Sequence, residues 1–274
     1  MNTATTLKNS TAIALGGFDG MHKAHQKLFS ELGEHGAVVV VENGYSSLTP
    51  KTYRNTHTSY PVLHLLLENI RHMDAKLFVE LLKKEFPKLQ KIVVGYDFYF
   101  GKDRKYSAKC LQEYCCCEVV VVDEVMVDGL SVHSRYIREF IHSGKLPQAN
   151  NLLGYNYTIE GKKVTGQGLG ERELFPTVNL QVEEFSLPKE GVYASKTQLD
   201  GKGEFYDSIT FLGHRKTTDG TFAIETHILD KVITCKQSAK IEFLELIREN
   251  KKFATLHQLK DAIVKDIEAR KKIV

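Results

Sequence analysis

The feature that most constrains the fold is a strand, helix, strand pattern at the start of the chain. An apolar segment, TAIALGG, leads through a glycine-rich turn into HKAHQKLFSELGEHG, and AVVVVEN follows. Short apolar runs bounded by turn residues predict buried strands, while the middle segment has helical spacing and closes on glycine. Two buried strands joined through a helix predict a parallel sheet covered by helices.

The same alternation continues through the first half of the chain. DAKLFVELLKKEF and SRYIREFIHSGKL have helical spacing, whereas KIVVGYDFYFG and CEVVVVDEVMV are rich in β-branched residues. We therefore predict an N-terminal α/β domain, doubly wound and Rossmann-like, with its ligands at the carboxyl ends of the strands.

The pattern changes near residue 153. From there to about residue 242 the chain shows short strand-like runs separated by Gly, Pro, Asp and Lys, which predict an antiparallel barrel or sandwich. The final segment places Leu256, Leu259, Ile263 and Ile267 on one helical face, as in a helix packed on the β-domain. We expect two domains, residues 1–153 and 154–274.

Composition narrows the class of protein. The chain has 274 residues, is 42% hydrophobic and has a formal net charge of +3, which does not indicate a nucleic-acid partner. No apolar run approaches the roughly 20 residues of a membrane span, and MNTATTLKNS lacks the core of a signal peptide. We expect a cytoplasmic protein without a membrane partner. The five cysteines, three of them adjacent, lack zinc spacing and fit a reducing compartment.

Two histidines follow the first glycine-rich turn. His22 and His25 lie one helical turn apart, directly behind the strand and the turn formed by residues 16–20. Imidazoles in this position can stabilise negative charge that grows on a phosphate, and the N–H groups at a helix start favour anions. Glycines in the turn let a ligand approach the main chain.

Three motifs of this half resemble those of the bifunctional riboflavin kinase/FMN adenylyltransferase family, the prokaryotic FAD synthetases. The first matches G-x-F-D-G-x-H-x-G-H at Gly16, Phe18, Asp19, Gly20, His22 and His25, with Ala24 in place of the family's glycine. The resemblance implies that the histidines are catalytic in adenylyl transfer. The second, VVGYDFYFGKDRK, contributes Asp97 and Phe98 to the nucleotide and flavin cleft. The third, VHSRYIR, retains Ser134 and Arg138, and Arg138 suits a phosphate contact.

The second half resembles the riboflavin kinase module of the same family. The resemblance assigns the glycine-rich segment with Gly166, Gly168 and Gly170 to ATP, and Thr177 and Asn179 of PTVN to Mg²⁺ and phosphates. Glu225 in FAIETHILD matches the family's general base, and Arg248 falls in a loop near the flavin. The family's I-G-x-R-P-T-F segment reads LGHRKTTDG here, with Lys216 and Thr218 as departures.

These matches imply a two-domain enzyme of flavin biosynthesis. The C-terminal domain would phosphorylate riboflavin to FMN with ATP, and the N-terminal domain would join AMP from ATP to FMN, giving FAD and pyrophosphate, with Mg²⁺ in both steps. One alternative is an adenylyl- or cytidylyltransferase acting on another phosphorylated substrate, with an accessory barrel. Another is a flavin- or nucleotide-binding regulator that has lost one or both activities.

Overall fold

The computed structural model describes residues 3–44, 47–166, 175–231 and 234–273. Contacts within the chain divide it into two compact units, Met1–Ser134 and Arg135–Val274. The border expected at residue 153 lies within the second unit, and its place as the limit between two functional domains remains a prediction.

Parallel strands form the centre of the first unit. In chain order its described strands are β1 (Ala12–Gly16), β2 (Gly36–Glu42), β3 (Val62–Leu66), β4 (Lys91–Gly95), β5 (Tyr99–Phe100), β6 (Tyr106–Ser107), β7 (Glu118–Val122), β8 (Met126–Val127) and β9 (Leu130–Ser131). Five of them form a parallel sheet in the order β3-β2-β1-β4-β7. The strand order reverses at β1, so the crevice between the carboxyl ends of β1 and β4 is the expected ligand position.

Helices flank this sheet. They are α1 (Thr3–Asn9), α2 (Lys23–Phe29), α3 (Leu67–Ile70), α4 (Ala75–Glu85) and α5 (Ala108–Cys115), with 3-10 helices at Lys51–His57 and Lys102–Arg104. Asp74 caps α4 by accepting a hydrogen bond from the Leu77 N–H at 2.9 Å. α2 ends at Phe29, earlier than predicted, because Glu31 and Leu32 donate their N–H groups three residues back, to Leu28 and Phe29, instead of four.

Both faces of the sheet are buried, as expected for a doubly wound domain. Ile13 and Leu15 of β1 pack into one apolar cluster, which also contains Phe78 and Leu82 of α4. Ala12 and Ala14 of the same strand face a second cluster, which includes Leu28 and Phe29 of α2. This alternation with a period of two residues places helices on both sides of β1.

The second unit is a closed antiparallel barrel, which decides between the barrel and the sandwich. α6 begins at Ser134 and ends at His142, and α7 (Leu146–Leu153) follows. The described strands are β10 (Thr158–Val164), β11 (Val178–Gln181), β12 (Gly191–Leu199), β13 (Tyr206–His214), β14 (Phe222–Ile228) and β15 (Ser238–Glu249), and α8 is Leu256–Arg270. The strands close in the order β10-β11-β14-β13-β12-β15.

A ring of hydroxyl groups lies within the barrel. Ser195, Thr197, Ser208, Thr210 and Thr226 are fully buried. Their side chains connect in a closed cycle of hydrogen bonds 2.8–3.0 Å long. Each hydroxyl therefore has partners on both sides, which offsets the cost of burying it.

The helix α8 buries charged side chains as well as apolar ones. Leu259 and Ile263 of the predicted apolar face are half-buried, whereas Asp266 and Arg270 are the buried residues of the helix. Arg270 is paired with Asp207 and also donates to the Ser195 carbonyl at 3.2 Å. Burial of these charges is tolerated because each has a partner.

Two further observations concern the cysteines and membranes. Cys115 and Cys117 form a disulfide across Cys116, a pairing that the sequence interpretation did not anticipate. Among the described residues, no helix is both long and apolar enough to cross a bilayer.

Candidate functional site

The glycine-rich turn after β1 is fixed by hydrogen bonds to the segment after β2. The Asp19 carboxylate accepts from the backbone N–H of Leu48 at 2.9 Å and of Thr49 at 3.1 Å. Gly20, with a φ of 87°, donates its N–H to the Thr49 hydroxyl at 2.8 Å. Asp19 thus holds the turn in shape, and its direct contact with a nucleotide remains a prediction.

Phe18 closes the turn against the start of α2. Its ring is buried and meets the rings of His25 and Phe29 edge-on, each with centroids 5.1 Å apart. A Cβ on Gly16 would lie 3.1 Å from the Phe18 ring, so glycine allows this close approach. Gly16 and Phe18 therefore act together in placing His25.

The two predicted catalytic histidines are stacked on each other. Their ring centroids are 3.5 Å apart and their planes differ by 18°. Burial holds the pKa of His25 well below its usual value, and the nearby cationic groups of His22, Arg54 and His133 lower it further. His25 is therefore neutral near pH 7, and its buried Nδ1 has no hydrogen-bond partner among the described residues.

Sequence reasoning missed Arg54, a buried cation near this pair. It lies in the 3-10 helix Lys51–His57 and is fully buried. Its Nη1 donates to Glu42 Oε1 at 2.6 Å, whereas Nε and Nη2 have no partner among the described residues. The same Glu42 Oε1 also forms a hydrogen bond with His64 Nδ1 at 2.8 Å. No motif marks Arg54, because its position depends on how the segment after β2 folds back.

The second motif lies at the carboxyl end of β4. Asp97 is exposed, and Phe98 packs partly buried against the apolar core beside Phe100, with ring centroids 5.7 Å apart. Tyr96 lies between Gly95 and Asp97 of the motif, and its hydroxyl forms a hydrogen bond with His133 Nε2 at 2.9 Å. Phe98 thus has a packing role, and its contact with flavin or nucleotide remains a prediction.

A hydrogen bond connects the third motif to the first. The Ser134 hydroxyl donates to the Asp19 carbonyl at 2.7 Å, which brings two distant sequence motifs together within the first unit. Arg138 lies one turn along α6, in the second unit. Its predicted phosphate contact remains untested.

The second candidate site is a cavity of about 820 Å³ beside the barrel. Its walls come from the barrel strands, the loops that follow β13 and β15, and α8. Among the lining residues are Gly166, Thr177, Asn179, Glu225 and Arg248, which the resemblance assigned to substrate, phosphate or metal. The remaining two predicted residues, Gly168 and Gly170, lie outside the described residues.

Asn179 and Glu225 are neighbours on adjacent strands. Asn179 of β11 is paired in register with Glu225 of β14. A Cβ on Gly166 would lie 2.3 Å from Asn179 Nδ2, so the glycine makes room for the amide. The barrel register therefore places the predicted phosphate and metal residue beside the predicted base.

Arg215 joins these two side chains. It donates from Nε and Nη2 to Glu225 Oε1 at 2.9 and 2.5 Å, and from Nη2 to Asn179 Oδ1 at 2.9 Å. Arg215 is the arginine of LGHRKTTDG and matches the family's I-G-x-R segment, so a signal for it existed in the sequence.

Arg248 lies in β15 rather than in the expected loop, and its side chain is held by α8. Its Nε and Nη2 form a two-pronged ion pair with the Asp266 carboxylate, both at 2.8 Å. Its guanidinium also lies 5.4 Å from the ring centroid of Phe253. Asp266 was not predicted, because an acidic residue on an amphipathic helix is usually solvent-exposed and carries no signal for burial.

Two family models match the chain, one in its first half and one in its second half. The FAD synthetase model matches residues 54–136, and the riboflavin kinase model matches residues 153–274. The arrangement of the two modules therefore follows the order of the parallel sheet and the barrel.

Relatives of known name match nearly the whole chain. The bifunctional riboflavin kinase/FMN adenylyltransferase of Pseudomonas fluorescens is 30% identical, over 93% of this chain and 90% of its own. The enzyme of the same name from Haemophilus influenzae is 27% identical, over 99% and 96%. A crystal structure from Streptococcus pneumoniae, described as a macrolide-efflux protein, has a TM-score of 0.84 at 25% identity and covers 96% of this chain and 94% of its own.

The structural likeness supports the fold class, and the identity to the Pseudomonas enzyme extends across both units. None of these matches supports the regulator that has lost catalysis. This chain belongs to the bifunctional riboflavin kinase/FMN adenylyltransferase family.

Proposed function

We propose that the protein converts riboflavin to FMN in the barrel unit and FMN to FAD in the first unit, with ATP as the second substrate of both reactions. The observation that carries the proposal is that Thr177, Asn179 and Glu225 line the same cavity. The same chain holds a stacked histidine pair behind a glycine turn at the carboxyl end of β1. Each constellation suits one of the two transfers.

In the kinase reaction, the terminal ribityl hydroxyl of riboflavin attacks the γ-phosphorus of ATP. Its oxygen forms the new bond to phosphorus, its proton passes to the Glu225 carboxylate, and the bond to the bridging oxygen of ADP breaks. Most of the acceleration comes from alignment, so the fixed position of Glu225 matters more than strong basicity.

The donor set beside Glu225 fits Mg²⁺. The Thr177 hydroxyl and the Asn179 amide oxygen are the hard oxygen ligands that magnesium prefers. Asn179 Oδ1 accepts a hydrogen bond from Arg215 Nη2 at 2.9 Å, and the second lone pair of this amide oxygen can serve a metal ion. We propose that Thr177 and Asn179 hold Mg²⁺ with the ATP phosphates, where the ion offsets phosphate charge.

In the adenylyl transfer, a phosphate oxygen of FMN attacks the α-phosphorus of ATP and pyrophosphate leaves. His22 and His25 donate hydrogen bonds to the α-phosphate oxygens as negative charge grows there. Arg54 has two buried nitrogens without partners among the described residues and lies close enough to lower the pKa of His25. We assign Arg54 to the phosphate groups of ATP as well.

We assign the adenylyltransferase to residues 1–153, the kinase to residues 154–274 and the protein to the cytoplasm, with neither nucleic acid nor a membrane as a partner. The small net charge of +3 supports small anionic substrates over nucleic acid.

Product analysis tests the two reactions together. Purified protein with riboflavin, ATP and Mg²⁺ is expected to yield FMN and ADP, then FAD and pyrophosphate, separated by chromatography. A second reaction started from FMN isolates the adenylyl transfer. Absence of both FMN and FAD across a range of Mg²⁺ concentrations and reducing conditions refutes the proposal.

A further inference from the structure

Arg215 holds one oxygen of the Glu225 carboxylate and leaves the other open. Both Nε and Nη2 donate to Oε1, at 2.9 and 2.5 Å. No described residue donates a hydrogen bond to Oε2. The two oxygens of Glu225 therefore differ, because Oε1 is fixed by a guanidinium and Oε2 has no donor among the described residues.

Arg215 is itself fixed at the β13–β14 hairpin. Its backbone N–H donates to the Thr221 carbonyl at 2.9 Å, and its Nη1 donates to the Thr221 hydroxyl at 2.8 Å. That hydroxyl in turn donates to Asp219 Oδ1 at 2.9 Å. The hairpin thus sets the plane of the guanidinium, and the guanidinium sets the direction of Glu225.

The same guanidinium reaches across to the neighbouring strand. Nη2 contacts Asn179 Oδ1 as well as Glu225 Oε1, so one planar group spaces the amide and the carboxylate. The side chains of Arg215 and Glu225 are only 15% and 23% exposed, which strengthens their pairing relative to a surface ion pair. A lysine, with one compact ammonium, cannot reproduce these parallel contacts.

We propose that Arg215 is a positioning residue of the kinase site, which turns Glu225 so that Oε2 accepts the proton of the substrate hydroxyl and keeps Asn179 at a fixed distance from it. This inference rests on the proposed kinase reaction. Arg215 acts through Glu225 and Asn179 and needs no contact with the reacting atoms.

Kinetics of Arg215→Met and Arg215→Lys test the proposal in the full-length protein. We expect Arg215→Met to lower kcat for FMN formation about 100-fold, the cost of a small misplacement of a reacting group, with KM for riboflavin and ATP changed less than about threefold. Arg215→Lys should recover only part of kcat. Conversion of supplied FMN to FAD by the same preparations should be unchanged.

A double variant separates positioning from direct phosphate binding. In a Glu225→Gln background, the Arg215→Met change should cause little further loss of kcat, because the group that it orients is already gone. Two results would overturn the proposal in favour of a phosphate contact. One is a loss of kcat in the double variant equal to the product of the losses in the two single variants. The other is a large rise in KM for ATP with kcat preserved.

Failure of the two hypotheses can be told apart. If the unsubstituted protein forms no FMN, the proposed function is wrong. If it forms FMN and Arg215→Met does so at the same kcat, only the role of Arg215 is wrong. Riboflavin binding, followed by quenching of its fluorescence, reports whether the cavity of each variant is intact, and Arg215→Lys provides the comparison if the methionine variant does not fold.

Discussion

His22 and His25 stack with their ring centroids 3.5 Å apart, and the pKa of His25 is held well below its usual value. Burial is the main cause, and repulsion by neighbouring cationic groups adds to it. The neutral His25 imidazole can donate or accept a hydrogen bond without adding a charge beside the buried Arg54.

Stability should depend on pH through His25. Since the unfolded chain binds a proton at about pH 6.5 and the folded chain resists it, the free energy of unfolding falls as pH is lowered through that value. From pH 7.5 to pH 5.5, we expect the free energy of unfolding of the unsubstituted protein to fall by about 1 kcal/mol more than that of His25→Gln. Urea unfolding at both pH values measures this difference.

An exposed histidine provides the control for that experiment. His35 lies outside the site, and its side chain is exposed. His35→Gln should keep the pH dependence of the unsubstituted protein. If the free energy of unfolding depends on pH equally in the unsubstituted protein and in His25→Gln, the lowered pKa of His25 is contradicted.

Removal of both site histidines should separate the two reactions. The double variant His22→Ala with His25→Ala is expected to lose FAD formation by at least about 100-fold, since two hydrogen-bond donors to the α-phosphate are lost. FMN formation from riboflavin should remain. Chromatography of reactions started from riboflavin and from FMN gives both rates, and loss of both activities in a folded variant would count against two independent centres.

The reverse separation is expected at Glu225. Glu225→Gln keeps the shape of the side chain and removes its capacity to accept a proton, so FMN formation should fall by about 100-fold or more. FAD formation from supplied FMN should continue. Glu245→Gln, at an exposed position of β15, is the matched control. An unchanged rate of FMN formation in Glu225→Gln would rule out this residue as the base.

Gly166→Ala should disturb the amide beside the base. The added Cβ would lie 2.3 Å from Asn179 Nδ2, so the amide must move. If Asn179 holds Mg²⁺, the concentration of Mg²⁺ needed for half-maximal FMN formation should rise about tenfold, roughly 1.4 kcal/mol of lost interaction. A Mg²⁺ titration measures the shift, and FAD formation by the same preparation reports on the other unit. No change in the Mg²⁺ requirement would contradict the assignment.

Asp266→Asn should loosen the helix that walls the cavity. The change removes the charge that pairs with Arg248 and leaves the volume nearly unchanged, so we expect a loss of about 1–3 kcal/mol in unfolding free energy. Riboflavin affinity should fall as well, because Arg248, Leu259 and Ile263 line the same cavity. Fluorescence quenching measures binding, and thermal unfolding measures stability. Unchanged affinity would show that Arg248 is not a flavin residue.

The local elements of this protein could be predicted from its sequence. The sequence run of α4 has helical spacing and a capping aspartate, and that of β12 is a short strand-like run followed by Asp and Gly. The alternation of strands and helices was sufficient to predict a doubly wound domain, and the change near residue 153 was sufficient to predict a β-domain. Such features depend on neighbours in the chain, which a sequence displays directly.

Only the tertiary structure decided which side chains meet. It closed the strands into a barrel, paired Asn179 with Glu225, brought Arg215 to both and placed Arg54 near His25. Register and barrel closure bring together residues that are distant in sequence, and hydrogen bonds form only where a fold sets both distance and direction. The sequence thus determined the elements and the motifs, whereas packing determined which charged and polar groups became partners.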